Sequence, residues 1–435
     1  MTEINPARAG RFGNLILVVS NNPFRPLRHR SVRLLWSAGV VSDIGTWVQL
    51  IVVGSLVAAD TGSAVKTGLV ALATFMPQGI ASPIGGLLAD RFDRRKVFAS
   101  ALMVQAAVTS VLAVVLGLGI REPGILTLLI LLGSASGALG APSYASMLPD
   151  LVPKDELMAM VSLGVYAWNA GRIAGPLLGT LLVVTVGPAW TIAFNAATFV
   201  VLAVAVSLVR QKFLPQAGSG TIVERLVGGW RTLRSTPGCW QGVKLLILFN
   251  LTVVPFMGLI PIYAHAEYGG GTGLTGVISS AQGIGAIAGG VIVTVLAARR
   301  SRSHLLERLV LFVSGALAFY AAAPGPVAVT VGAVFLGAGS ASMFITGAST
   351  IQRDAPAASR GRVMAMMQAC MGLSYGIGIL LIGFIGDRVN LHVAFGIGAL
   401  GLLVGFQVLT RRSPGWSDAL DGASVVTHTA IAVAV

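Results

Sequence analysis

Charge is scarce in this sequence. Of its 435 residues only 11% are Asp, Glu, Lys or Arg, where a soluble domain of average composition carries about 25%, so a soluble globular protein is excluded. Acid is the scarcer sign, with 16 Asp and Glu against 30 Lys and Arg. The resulting excess of +14 would suggest nucleic acid in a soluble chain, but no basic patch interleaved with aromatics is present, which argues against DNA or RNA as a partner. Cysteine is limited to Cys239 and Cys370, in distant segments, which excludes a disulfide framework and a thiolate metal site. The five histidines never cluster, so no histidine-rich metal tract is expected. No G-x-x-x-x-G-K-[ST] loop is present to cradle a nucleotide phosphate, and the Gly-rich "YGGGTGLTG" (Tyr268 to Gly276) reads as a tight turn. Nor do a nucleophile and a base occur at catalytic spacing, so neither an enzyme nor a cofactor is expected. Arg8 and Arg11 precede an apolar stretch, Leu15 to Val19, that is too short and wrongly flanked for a signal peptide; it reads as a tail, at the membrane surface or beside it.

Apolar residues make up 55% of the chain. They fall in runs at 34–58, 67–89, 97–119, 124–148, 157–184 and 189–209, then at 241–264, 274–297, 305–323, 326–350, 363–386 and 391–410. A helix crosses the hydrocarbon core with roughly 20 residues, so the runs predict twelve spans. The one long polar interval divides them six and six. The expected organisation is a tail over 1–32, a bundle over 33–209, a linker over 210–240, a second bundle over 241–412 and a tail over 413–435. With the N-terminus inside, 26 of the 30 basic residues fall on the cytoplasmic side; Lys66, Arg121 and Arg388 fall outside and Arg172 lies within a span. That asymmetry predicts that both termini are cytoplasmic. In the linker, Val223, Leu226, Val227, Trp230 and Leu233 recur at helical spacing opposite bases. Such a helix either lies on the inner membrane surface or tethers the two bundles as a solvated connector.

The densest charge cluster among the spans is "GGLLADRFDRRKV", Gly85 to Val97. It resembles the G-x-x-x-D-R-x-G-R-R signature of the major facilitator superfamily, read as Gly86, Asp90, Arg91, Arg94 and Arg95, with Asp93 in place of the second glycine. It lies between spans two and three, where that family has it, and implies a gating loop in which glycine permits close packing and the charges cap and bridge helix ends. "FRPLRHRSVRLLWSAGVVSDIGTWVQ", "APSYASMLPDLVPKDEL", "NAGRIAGPLLG" and "SRGRVMAMMQ" are similar to the branch that includes the enterobactin exporter and macrolide-efflux proteins, the transmembrane secretion effectors. Weak internal repeats agree: "MLPDLVPKDEL" after span four has a counterpart in "IQRDAPAASRGRV" after span ten, with Asp150 matching Asp354.

In span five, "GRIAGPLLG" sets Gly171, Gly175 and Gly179 on one helix face, where a neighbour can approach closely, and Pro176 removes a backbone donor. The stretch partly matches the superfamily's antiporter signature, with Thr180 for its last glycine and Ser162 for its first. Packing alone explains it as well. Ionisable groups inside spans are functional candidates by default, and Asp43 and Arg172 are the two clear cases. An Asp opposed by a movable Arg can carry a proton; the same two residues also fit a static ion pair, or a hydrated Asp43. The candidate cavity residues are Gln49, Trp168, Asn169, Asn250 and Gln282, although amides in hydrocarbon also serve to bridge helices. Pro77, Pro255 and Pro261 are candidate helix breaks beside a cavity, and His265 with Glu267 a candidate proton or metal pair, more simply read as solvated.

The expected fold is all-α, twelve transmembrane helices in two six-helix pseudo-symmetric bundles, the major facilitator fold. The expected function is proton-coupled export of a siderophore, an antibiotic or an amphiphilic drug by alternating access, from a monomer in the cytoplasmic membrane whose partners are a small molecule, protons and the lipid bilayer. The alternatives are an uptake or facilitated-diffusion carrier, a metal-ion exporter, and a sensor or scaffold that transports nothing.

Overall fold

Inside hydrocarbon each backbone N–H and C=O has to be paired within the chain, which leaves the helix as the spanning element for an isolated apolar run. The computed structural model describes residues 23–209, 211, 213, 222–297, 300–357 and 359–421, and these are helical nearly throughout. The apolar tail stretch at 15–19 lies outside the described residues. The helices are α1 (Arg30–Thr61), α2 (Ala64–Arg91), α3 (Arg94–Gly117), α4 (Pro123–Met147), α5 (Leu157–Ser207), α6 (Ile222–Ser235), α7 (Pro237–Thr252), α8 (Pro255–Ala266), α9 (Gly271–Ala297), α10 (Arg302–Ala321), α11 (Pro326–Asp354), α12 (Arg360–Arg388), α13 (Leu391–Arg411) and α14 (Trp416–Asp421). Among the described residues ten helical segments are long and apolar enough to cross a membrane.

Local chemistry explains the ends. Gly62 closes α1 in the left-handed conformation, φ 59°, and Ser63 caps α2 by accepting from the Lys66 N–H. Asp93, the residue that departs from the signature, caps α3 by accepting from the Arg95 N–H at 2.9 Å. At 51 residues α5 is too long for one crossing. Its regularity fails at Gly187, φ 82°, just ahead of Pro188, between the apolar runs read at 157–184 and 189–209. Run 241–264 is two helices, α7 and α8, parted at Val253 and Val254 before Pro255, which has no N–H to give. By contrast α2 continues through Pro77 and Pro83, α5 through Pro176 and α8 through Pro261.

Basic residues tie one set of helix ends together. Arg94 Nη1 donates to Ser146 O at 3.1 Å and lies 3.5 Å from Asp150 Oδ2, while Arg95 Nη1 donates to Val209 O at 2.7 Å. Arg25, Arg28 and His29 converge on Glu156, whose side chain is 1% exposed. On the other side of the linker, Arg353 donates to Leu420 O, and Asp421 accepts from the first N–H groups of α10. We call this the basic end. In the linker, α6 sinks Leu233 among Cys239, Val243 and Ile351 and leaves Val227 and Trp230 exposed.

Apolar packing shows where the two sets of helices meet. One buried cluster joins α1 to α5 with α7 to α13, through Val48, Val53 and Leu112 on one side and Phe256, Leu259 and Ile379 on the other. Two further clusters near the basic end each belong to one set: Val32, Leu35, Phe98, Met147 and Met160 before the linker, and Cys239, Val243, Ile351 and Val363 after it. The sets are therefore fused away from the basic end and part toward it.

Candidate functional site

Two helix pairs make the seam. α2 lies along α12, with Asp387 at the C-terminal end of α12 accepting from Ser63 Oγ at 2.7 Å, from the Ala64 N–H and from the Val65 N–H at 3.2 Å. A carboxylate there meets both the free donors and the positive end of α2. Further along, a Cβ on Gly79 would lie 3.4 Å from Ala369 Cα, so the two backbones nearly touch. α5 lies along α9, with Thr180 Oγ1 donating to Thr272 O at 3.0 Å and Ser280 Oγ to Ile173 O at 2.7 Å.

Below these contacts the pairs enclose a cavity of about 840 Å³. Phe75, Trp168, Met257 and Tyr375 form its deep wall, and Gly86, Leu87, Gly361 and Arg362 carry it to the basic end. The polar groups on the wall are Gln78, Ser82, Asn250 and Gln368. Aromatic packing fixes the deep part: Phe75 meets Tyr375 edge-on at 6.0 Å, and Trp47 meets Trp168 at 5.5 Å. The break between α7 and α8 is in this wall too, since Asn250, Val254 and Met257 flank it.

Of the sequence candidates, the structure brings Trp168 and Asn250 into the cavity wall. Gln49, Asn169 and Gln282 lie outside that lining, each for a local reason. Gln49 Oε1 accepts from Asn195 Nδ2 at 2.8 Å, a bridge between α1 and the second leg of α5. Asn169 donates to Val165 O on its own helix. Gln282 is buried in the seam, where its Oε1 accepts from Arg172 Nε at 2.9 Å. Arg172 also reaches Met257 Sδ at 3.7 Å, and among the described residues it makes no ion pair with Asp43. Asp43 is half-buried on α1, its backbone against Gly171, with Tyr144 of α4 in electrostatic reach.

The glycine stripe of α5 faces α1. A Cβ on Gly171 would lie 2.9 Å from the Asp43 carbonyl carbon, one on Gly175 3.0 Å from Ile44 O and one on Gly179 3.3 Å from Val48 Cα. The Pro176 carbonyl faces α9 across Gly276, so α5 is gripped on two sides. In the signature loop the close approach expected of Gly86 is made by Gly85, which backs onto Leu139; Gly86 has open space and lines the cavity. Arg94 is buried, Arg95 half-buried and Arg91 exposed at the basic end, where Asp90 also lies. His265 and Glu267 do not pair with each other: Glu267 is 3.3 Å from His392 Nε2. Sequence reasoning passed over Met257, Met371, Phe344 and Arg362, because an apolar or terminal residue carries no mark of facing a cavity.

A family model described as transmembrane secretion effector matches residues 21–434. The chain belongs to that family. Macrolide efflux protein A of Streptococcus pyogenes is 22% identical over 369 residues, 82% of this chain and 90% of that protein. The multidrug efflux pump Tap of Mycobacterium tuberculosis is 27% identical over 384 residues, 83% of this chain and 88% of that protein. The solved structure of a bacterial homologue of the iron transporter ferroportin, in its inward-facing state, aligns with a TM-score of 0.68 at 15% identity over 89% of this chain and 98% of that one. This secretion effector is an all-helical, multi-pass membrane transporter of the major facilitator fold.

Proposed function

We propose that this chain is a proton-coupled exporter of small amphiphilic organic molecules, siderophores, antibiotics or drugs among them, that works by alternating access in the cytoplasmic membrane. The observation that carries the reading is the cavity between the two helix sets, sealed by α2 against α12 and α5 against α9 and open toward the basic end. The efflux roles in the names of two relatives point the same way. In this reading α5 crosses twice, turning at Gly187, and α2 crosses once, which gives twelve spans in two six-helix bundles. The basic end is cytoplasmic, and the arrangement described above is the inward-open one.

Rocking the bundles would part α5 from α9 and expose the cavity to the opposite side, as in other carriers built from repeats. Asp43 is the proton carrier of this reading. Arg172 is its counterpart: held by Gln282 while the seam is closed, it is released toward its own bundle when the seam opens. Arg94 holds the start of α3 to the end of α4, and Arg95 holds it to the chain beyond α5, so that these ends move as a unit. The membrane potential supplies about 2.3 kcal/mol per charge per 100 mV, to which a pH gradient adds.

Inside-out vesicles from cells expressing the protein test the reading. Uptake of a fluorescent amphiphile should follow an imposed proton gradient, with a matching alkalinisation of the proton-rich side. Asp43→Asn should keep binding and abolish the proton movement. Gradient-driven accumulation at full rate in Asp43→Asn vesicles would sink the coupling scheme, and accumulation in the reverse orientation would replace export with uptake.

A further inference from the structure

We propose that the cavity selects organic anions: amphiphiles whose acid group seats against Arg172 while the apolar body lies on the aromatic wall. This rests on the transport reading above and narrows it to a chemical class.

The first ground is an uncompensated charge. Arg172 sits mid-way along the first leg of α5, between Leu157 and Gly187, and its guanidinium has five N–H donors in a fixed fork. Gln282 Oε1 takes one of them and the Met257 thioether, a weak acceptor, another. Neither partner is charged, and no carboxylate is among its partners in the described residues. A cation kept inside a membrane protein is ordinarily paired or aimed at a water-filled path. Met257 touches the Arg172 guanidinium and also lines the cavity, so the charge lies immediately behind the closed end of that space. Methionine is flexible enough to give way to a ligand group.

The second ground is the charge on the wall itself. Arg362 is the one charged residue among those that line the cavity, and no Asp or Glu is among them. Low-dielectric walls focus the field of a charge along a cleft. An anion entering from the basic end therefore passes one guanidinium at the mouth and finds a second at the deep end. A cation meets the same two guanidiniums and no carboxylate on the lining.

The third ground is the balance of hydrogen bonding. Buried polar groups in a folded chain are normally satisfied. Around the deep wall the Trp47 Nε1, Gln282 Nε2 and Tyr375 Oη atoms are buried without a partner among the described residues. Two of these are N–H groups that only donate, and the third is a hydroxyl. What the region has to spare is donors, which suits an acceptor-rich group such as a carboxylate or sulfonate and offers a protonated amine little. The competing feature is the aromatic wall, since ring faces attract cations. The two readings predict opposite rankings of otherwise equal probes.

Dansylglycine, dansylamide and dansylcadaverine share one fluorophore and carry a carboxylate, no charge and an amine. Their binding is measured by fluorescence titration on the full chain in lipid nanodiscs. Dansylglycine should bind at least roughly tenfold tighter than dansylcadaverine, the scale of one hydrogen bond to a buried charge. Arg172→Gln should erase that preference, read as the ratio of the two affinities within the variant so that any loosening of the seam cancels, and saturable binding of dansylamide shows that the variant is folded. Arg172→Lys should keep the sign of the preference. Equal or tighter binding of the amine overturns the inference, as does a preference that survives Arg172→Gln. Transport in proteoliposomes separates this inference from the one beneath it. Movement of the amide and amine but not the glycine probe counts against anion selectivity alone; selective binding of the glycine probe with no gradient-driven movement upholds the selectivity and counts against transport.

Discussion

Arg172 Nε donates to Gln282 Oε1 at 2.9 Å, and that bond spans the seam between α5 and α9. It ends a series of bonds in the same pair that continues through Ser280 to Ile173 O and Thr180 to Thr272 O, along a line where Gly276 and Gly283 let the helices touch. The arginine thus belongs to the contact that has to open for access from the opposite side. It also touches Met257 in the cavity wall. A change in the cavity and a change in the seam therefore act on one guanidinium.

Replacing the amide should loosen the closed seam. In Gln282→Leu the guanidinium loses its oxygen acceptor while shape is nearly kept, at a cost of about 1–3 kcal/mol to the closed form. Spin labels at Val184 and Gly273, with Cys239 and Cys370 replaced, read the distance between the end of the first leg of α5 and the start of α9. The long-distance population should rise several-fold. An unchanged distribution would show that Arg172 and Gln282 contribute nothing to closure.

Asp387 should act in the same sense on the other pair. Its carboxylate accepts from Ser63 Oγ and from two N–H groups at the start of α2, so Asp387→Ala removes a cap worth about 1–2 kcal/mol. Labels at Thr61 and Val389 should move apart in a larger fraction of molecules, whereas Asp387→Asn, which keeps an acceptor, should show a smaller effect. Equal behaviour of the two variants would mean that the charge holds the contact and that a neutral acceptor oxygen contributes nothing.

The layout of the helices was legible because hydrocarbon admits few alternatives. Apolar length, the Gly187 and Pro188 turn and the proline after Val254 are all written locally. Side-chain direction was not. A span that is apolar all round has no amphipathic face to fix its rotation, so Gln49 was a cavity candidate and Gln78 was not. One bridges to Asn195 and the other faces the cavity. Asn169 looked available until its own helix supplied Val165 O. Adjacent glycines pose the same difficulty: the signature spacing selects Gly86, while the helix that comes close does so at Gly85. Glu156 was passed over because its partners, Arg25, Arg28 and His29, are more than 120 residues away in a segment read as a tail.

That cluster gives a stability prediction with an internal control. Glu156 is buried and receives three basic groups, whereas Asp155 beside it is exposed and, among the described residues, pairs with Arg25 alone, at 3.4 Å. Glu156→Gln should lower stability by about 1–3 kcal/mol, and Asp155→Asn by no more than about 1 kcal/mol. Thermal unfolding of the two variants in the same detergent checks the contrast. Comparable losses would mean that burial at the start of α5 does not concentrate the interaction.

Overpacking the α1 and α5 contact should be more damaging than removing a polar partner. Gly175 fits beneath Trp47 and the Ile44 carbonyl with no space for a side chain, so Gly175→Leu forces the helices apart at a cost of about 1–3 kcal/mol or more. Gly164, beside open space on the same helix, is the control: Gly164→Leu should unfold near the wild-type temperature and Gly175→Leu well below it. Matching unfolding temperatures would remove the steric role assigned to the stripe.

Charge on the cargo changes the energetics of export in a measurable way. With the basic end on the negative side, an inward proton gains about 2.3 kcal/mol per 100 mV and an outward monoanion gains the same again. A neutral cargo exchanged for one proton gains only the proton's share. With no pH gradient, the limiting accumulation of dansylglycine should therefore exceed that of dansylamide by roughly fiftyfold for each 100 mV imposed by a potassium diffusion potential. Asp43→Asn removes the proton's share from both, so dansylglycine should retain one charge of voltage dependence and dansylamide none. Equal voltage slopes for the two dyes in the unmodified protein would mean that the carboxylate crosses with its own proton, and that Arg172 does not hold it as an anion.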